Sequence, residues 1–139
     1  MRDTAPAMSD ESVELAHRTL EAAEAEDWRG MSELLHPECA WVSDPRGPDG
    51  GVIHGREQVL AHVSRQRGAF GEFTFEIHDI RDTSNGTLII ATAHGRGAVS
   101  GVDTKFLWCF LLEVRDGRVG RVQSFLDREE ALEAAGVSE

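Results

Sequence analysis

The stretch Lys105-Phe106-Leu107-Trp108-Cys109-Phe110-Leu111-Leu112-Glu113 decides the fold. Two-residue alternation puts Phe106, Trp108, Phe110 and Leu112 on one face and Leu107, Cys109 and Leu111 on the other. A strand built this way is apolar on both sides, and both sides need cover. Further strands lie on either side of it. Phe73, Phe75 and Ile77 alternate with Thr74, Glu76 and His78, and Ser84-Asn85-Gly86 then reads as an asparagine-glycine hairpin turn with positive backbone dihedrals. Thr87 to Gly95 is the returning strand, and Thr104 to Val114 contains the decisive stretch. The turn Asp116-Gly117 leads into a fourth strand, Val119 to Leu126, and completes an antiparallel meander.

The remaining segments read as helices and one short strand. Val13, Ala16, Leu20 and Ala23 recur at helical spacing between Ser9 and Glu26, with acidic residues opposite. Asp27 caps a short helix holding Trp28, Met31, Leu34 and Leu35, which Pro37 stops. A strand from Cys39 to Asp44 ends in the loop Pro45-Arg46-Gly47-Pro48-Asp49-Gly50-Gly51. Gly55 opens a third helix, Arg56 to about Arg67, with Val59, Leu60 and Val63 facing inward. A last helix starts at Asp127 and ends near Gly136; Asp127-x-x-Glu130 there reads as a capping box rather than as catalytic carboxylates. Helices gathered on one side of a mostly antiparallel sheet define an α+β domain. They cover one face of the central strand, so a second copy of the chain is expected on the other, as a homodimer through the outer sheet face.

The 139 residues suit a single domain at 11–139, preceded by a flexible tail at 1–10. Fourteen basic against 25 acidic residues give a net charge of −11, which repels phosphate backbones and anionic membrane surfaces. Neither a nucleic acid nor a membrane is therefore expected as a partner. The longest apolar run, Phe106 to Leu112, is too short to span a bilayer, and Met1 to Asp10 lacks the pattern of a secretory leader. Cys39 and Cys109 stand alone, as suits a reducing cytoplasm. No histidine pair has metal-ligand spacing and no phosphate-cradling glycine motif occurs, so no metal and no cofactor are expected.

The strand end Ser43-Asp44-Pro45-Arg46-Gly47, followed by Ile53-His54-Gly55-Arg56-Glu57-Gln58, resembles ketosteroid isomerases. Those enzymes carry a similar Asp-Pro-x-Gly and then Ile-His-Gly-Arg-Glu-Gln at the next helix. From about Val13 to Gly136, element order, the Asp116-Gly117-Arg118-Val119 turn and the Phe125-Leu126-Asp127 strand end resemble the nuclear transport factor two-like superfamily, which includes SnoaL-like polyketide cyclases. The resemblance implies a cystatin-like cone, a curved sheet wrapped around the N-terminal helices with an apolar pocket open at one end.

It also implies a role for Asp44, which matches the base that moves a proton between carbons beside a ketone. A partly desolvated carboxylate is a competent base; the alternative is an Asp whose side chain bonds the turn backbone before Pro45. The oxyanion donors of the isomerases do not carry over. The chain has no tyrosine, their first-helix position falls on Thr19 or Leu20, and their strand acid falls on or near Phe110. His94 is the second catalytic candidate. Alternation groups it with Ile90 and Thr92 on the face that the resemblance puts inside the pocket, from which it would pair with Asp44 or donate to an enolate. The alternative is a partly exposed histidine beside Gly95-Arg96-Gly97.

The expected substrate-binding wall comprises Leu20, Leu35, Val42 and Val63, then Ile90, Thr92, Trp108 and Phe110, and finally Val122 and Ser124. Ser124 stands at or near the position where related limonene-epoxide hydrolases carry an Asp, and their Arg-x-Asp is absent. The expected function is proton transfer on a small hydrophobic carbonyl compound by an isomerase, cyclase or dehydratase. The alternatives are a non-catalytic binding protein of the same fold, an epoxide hydrolase-like enzyme, and a dimerising scaffold with a filled pocket.

Overall fold

A computed structural model describes residues 5–43 and 51–137, with side chains from residue 11 onward. Helix α1 (Ala5–Ala25) and helix α2 (Trp28–Leu34) precede strand β1 (Leu35–Ser43). Strand β2 (Gly51–His54), helix α3 (Arg56–Gly68), strands β3 (Phe70–Thr83), β4 (Gly86–Gly97), β5 (Asp103–Arg115) and β6 (Arg118–Phe125), and helix α4 (Arg128–Ala135) follow. One six-stranded sheet runs β2-β1-β6-β5-β4-β3. Only the β1–β6 pairing is parallel, so the mostly antiparallel α+β sheet and its four-strand meander are as expected.

Several local readings shift. Helix α1 starts at Ala5, inside the stretch expected to be a tail. Helix α2 keeps its Asp27 cap, whose carboxylate accepts from Gly30 N–H at 2.9 Å, but ends before Pro37. Pro37 instead sits in β1 at the register break between Leu35 and Ala40, where a missing N–H is tolerated. The Asp116-Gly117 turn has positive φ at both residues (53° and 77°), the geometry whose twist matches paired strands. The other hairpin closes differently from the expected asparagine-glycine turn. Gly86 pairs with Thr83, so Ser84 and Asn85 form the loop, and a Cβ on Gly86 would meet the Leu112 carbonyl at 2.5 Å.

The double-sided burial of β5 is real, but its cover differs from the expectation. On the inner face, Ile89, Ala91, Phe110, Leu112 and Val122 pack with α1, α2 and α3 into the main core. On the outer face, Leu88, Ile90, Cys109, Leu111 and Phe125 are covered by Ala131, Leu132 and Ala135 of α4. The helices therefore do not all lie on one side. The final helix takes the place assigned to a second copy over this part of the sheet. It is anchored by Asp127, which accepts from the Glu129 and Glu130 N–H groups, and by Asn85, which donates to the Ala134 carbonyl at 3.0 Å.

Arg67 ties the helical layer to the edge strand. It is buried, donates to the Glu24 carbonyl at 3.0 and 3.2 Å and to the Phe70 carbonyl at 3.0 Å, and lies 5.5 Å from the Phe73 ring centre. Glu24 in turn accepts the Phe75 N–H at 2.6 Å. Arg67→Ala strands two carbonyls and is expected to cost about 2–4 kcal/mol in urea unfolding. Arg67→Lys should recover less than half of that, since an ammonium lacks the planar fork.

Burial also pushes the Cys39 thiol up from 9.0 to about 11. A thiol neutral in the fold but ionised once unfolded makes its contribution in full below pH 9, and that contribution disappears as pH rises through 11. The Cys39 share of that alkaline loss is about 3 kcal/mol. Urea unfolding across this window should show a shallower decline for Cys39→Ala than for the wild type.

Candidate functional site

Helix α1 presents Ala16, Thr19, Leu20 and Ala23 toward the sheet at spacings of three and four, one continuous helical face. A gap remains between this face and the strands. That gap is an apolar cavity of about 60 Å³. Met31 of α2, Val63 of α3 and Trp41 of β1 close it on one side, and Phe75, Ile89, Phe110, Leu112 and Val122 of the sheet close it on the other. Both lining side chains that carry a polar atom have it engaged. Thr19 Oγ1 donates to the Leu15 carbonyl at 2.7 Å, and Trp41 Nε1 donates to Ser43 Oγ at 2.8 Å.

Four expected wall residues, Leu20, Val63, Phe110 and Val122, do line this cavity. Leu35 is buried in the same core opposite Val119, away from the cavity wall. Val42 alternates with Trp41 and pairs with Val52 and Gln123, which puts it on the other side of the sheet. Trp108 packs beside Phe75 and Phe110 on the inner face, and Ser124 shares that face as the register partner of Phe110, but neither lines the cavity. Trp41, rather than Trp108, is the tryptophan of the wall.

Ile90, Thr92 and His94 are on the opposite face from the one expected. Ile89 and Ala91 face the main core, while Ile90 is buried beneath α4. Thr92 bonds His78 at 2.7 Å, and His94 Nε2 lies 2.8 Å from Glu76 Oε1. The hydrogen bond from His94 holds the Glu76 carboxyl below its ordinary range. The sequence Leu88-Ile89-Ile90-Ala91 contains no polar residue to fix the phase, so alternation alone selected the wrong face. Asp44 lies outside the described residues, as does most of the loop that follows it.

Two features escaped the reading of the sequence. Thr19 and Ala23 sit on the cavity face of α1, which the helical spacing of Ala16, Leu20 and Ala23 already contained. His62 is 2% exposed, and its ring centre lies 5.2 Å from that of Trp41. Among the described residues no group of three histidine, cysteine or acidic side chains comes together to hold a metal ion. No helix among them is long and apolar enough to cross a membrane.

A family model for the SnoaL-like domain matches residues 16–122, from the first cavity residue of α1 to the last of β6. The chain belongs to the SnoaL-like family. Its fold is that of the nuclear transport factor two-like and ketosteroid isomerase-like proteins, a SnoaL-like cone of sheet around helices. Among solved structures it is similar to Bal32a from a soil-derived mobile gene cassette, at 20% identity over 91% of this chain and 97% of that one, with a TM-score of 0.75. It is also similar to a putative SnoaL-like polyketide cyclase from Jannaschia sp. CCS1, at 16% identity over the whole of both chains and a TM-score of 0.74. A third similar structure is an LEH-like epoxide hydrolase from M. tuberculosis, at 19% identity over 92% and 86% of the two chains and a TM-score of 0.70. No curated protein matches the sequence.

Within this SnoaL-like cone, His94 contacts Glu76 on the outer face and not the cavity. His94→Ala should therefore leave the affinity for a small ketone within about twofold while the Glu76 carboxyl titrates higher than in the wild type. Carboxyl carbon NMR across the acid range, beside a ketone titration, checks both.

Proposed function

We propose that the protein transfers a proton on a small hydrophobic carbonyl compound, as an isomerase, cyclase or dehydratase, with Asp44 as the base. The observation that supports this most is the course of β1. It lays Trp41 against the apolar cavity, binds the indole N–H to Ser43, and hands the chain directly to Asp44. A substrate whose hydrocarbon part fills the cavity has its carbonyl end at an edge where a carboxylate follows in sequence. An apolar surround weakens hydration of a carboxylate and raises its basicity, which suits removal of a proton next to a ketone.

A second reading, a non-catalytic binding protein of the same fold, is favoured by the cavity wall itself. Its two polar atoms are engaged within the protein, and His94 is not there to donate to an enolate. An epoxide hydrolase-like activity has less support, because Ser124 stands where those enzymes carry an acid and no Arg-x-Asp occurs in the sequence. A second copy of the chain would have to seat on the outer face beyond α4, around Glu76, Thr92, His94 and Leu107, to make the proposed cytoplasmic homodimer.

Deuterium uptake at the α-carbon of isopropyl methyl ketone in D2O, followed by proton NMR, separates the two readings. A base predicts uptake by the wild type and a fall of about 100-fold or more in Asp44→Asn. Equal uptake by both chains refutes Asp44 as the base. Binding without uptake by either chain establishes the binding protein instead.

A further inference from the structure

The cavity limits what can enter it. Its volume of about 60 Å³ equals two liquid water volumes at roughly 30 Å³ each, whereas a cavity that holds benzene measures about 150 Å³. A fused ring system, or even one phenyl ring, exceeds it. The wall cannot yield cheaply on the sheet side, because the ring that forms it is wedged among others. Phe110 is 5% exposed, with ring centres of Trp41, Phe75 and Trp108 at 6.1, 6.0 and 5.2 Å. Interiors packed to this density do not stretch, so extra volume forced into them costs stability.

We propose that the group entering the cavity is a compact branched aliphatic unit of isopropyl size, and that Phe110 is the residue that sets the limit. The proposal rests on the ligand reading above and specifies the substrate class of the same site. Its physical basis is threefold. Apolar surface buried against apolar surface supplies the attraction, and the wall offers a ligand no free hydrogen-bond donor in its depth. Branched aliphatic groups fill a short, rounded space with little loss of rotamer freedom. Phe110 stands opposite Ile89 in register, at the centre of the sheet wall, and its ring occupies the space a larger ligand would need.

The test compares isopropyl methyl ketone with phenyl methyl ketone, which share one reacting head and differ in the group offered to the cavity. The readout is the shift of the Ile89, Leu112 and Val122 methyl signals in the NMR spectrum of the full-length protein. The wild type should bind the isopropyl ketone at least tenfold more tightly, and Phe110→Ala should reverse that order by opening a hole with the shape of a phenyl ring. The milder Phe110→Leu should narrow the gap. The wild-type comparison decides by itself even if Phe110→Ala does not fold. Wild-type protein that binds the phenyl ketone through these methyls as tightly as the isopropyl ketone overturns the size limit. So does a size order unchanged in a folded Phe110 variant. Either of these results, with α-carbon exchange by Asp44 intact, removes the size limit alone. Silence of all three methyl groups toward both ketones removes the cavity as a ligand site and overturns both proposals.

Discussion

Everything in this structure depends on hiding both faces of the β4–β5 pair from water. Leu88 to Ala91 and Cys109 to Leu112 are each nearly inaccessible along their whole length, which no single layer of helices can achieve. The chain solves this with two unequal covers. Three helices pack on the inner face and make a large core with a gap; one short helix packs on the outer face and makes a small core. The inequality has a simple source. Helix α4 lays alanines and one leucine closely on the sheet, whereas α1 lies across several strands and is tied by Arg67 and Glu24 to the edge of β3. The cavity is what remains between the sheet and the Ala16, Thr19, Leu20 and Ala23 face of that tied helix.

The same constraint explains which parts of the structure were legible in the sequence. Where one face meets water, the pattern announces itself. The caps at Asp27 and Asp127, the turn at Asp116-Gly117 and the alternation of Phe73 to His78 all carry a polar residue whose position admits one arrangement. Where both faces are buried, that marker vanishes. In β4 the apolar run fixes the presence of a strand but not which residues point inward: alternation groups Ile90, Thr92 and His94 on the pocket face, whereas Ile89 and Ala91 are the ones that face the main core. Strand β2 carries no legible pattern for a different reason. It has four residues, mostly exposed, begins with glycine, and is held by pairing with β1 and by Gly55 N–H donating to the Cys39 carbonyl at 2.8 Å. Its conformation is imposed by its neighbours, and Gly55 with a φ of 95° makes the sharp exit into α3 that only glycine takes easily.

The candidate site divides along the same line. Leu20, Val63, Phe110 and Val122 line the cavity as expected: helical period puts Leu20 and Val63 inward, and two-residue alternation groups Phe110 with Leu112 and Val122 with Ser124. Trp41 and Trp108 could not be told apart by pattern, since both are inward-facing aromatics. What separates them is the ring cluster. Trp108 is stacked among Phe73, Phe75, Phe106 and Phe110, while Trp41 stands at the cavity with His62 behind it and Ser43 holding its N–H. Such three-dimensional ordering leaves no trace in one sequence.

Sharing a cone with a putative polyketide cyclase and an LEH-like epoxide hydrolase says little about chemistry, because the fold hosts many sites. What distinguishes one such protein from another is the handful of inward side chains. Here the central ones are carbon: Phe110 and Leu112 on β5, Ile89 and Ala91 on β4, and Val122 on β6, with Ser124 beside them. No described residue at those positions can take or give a proton at neutral pH except through a hydroxyl. Beside the cavity, polar side chains gather toward the end of β1, where the buried His62 packs alongside Trp41 and Ser43 holds the indole N–H. A carbonyl compound that reacts there has to place its polar head at that edge and its hydrocarbon in the gap left by α1. Under the proposed function, the gap between α1 and the sheet would govern both how a substrate is oriented and how large it can be.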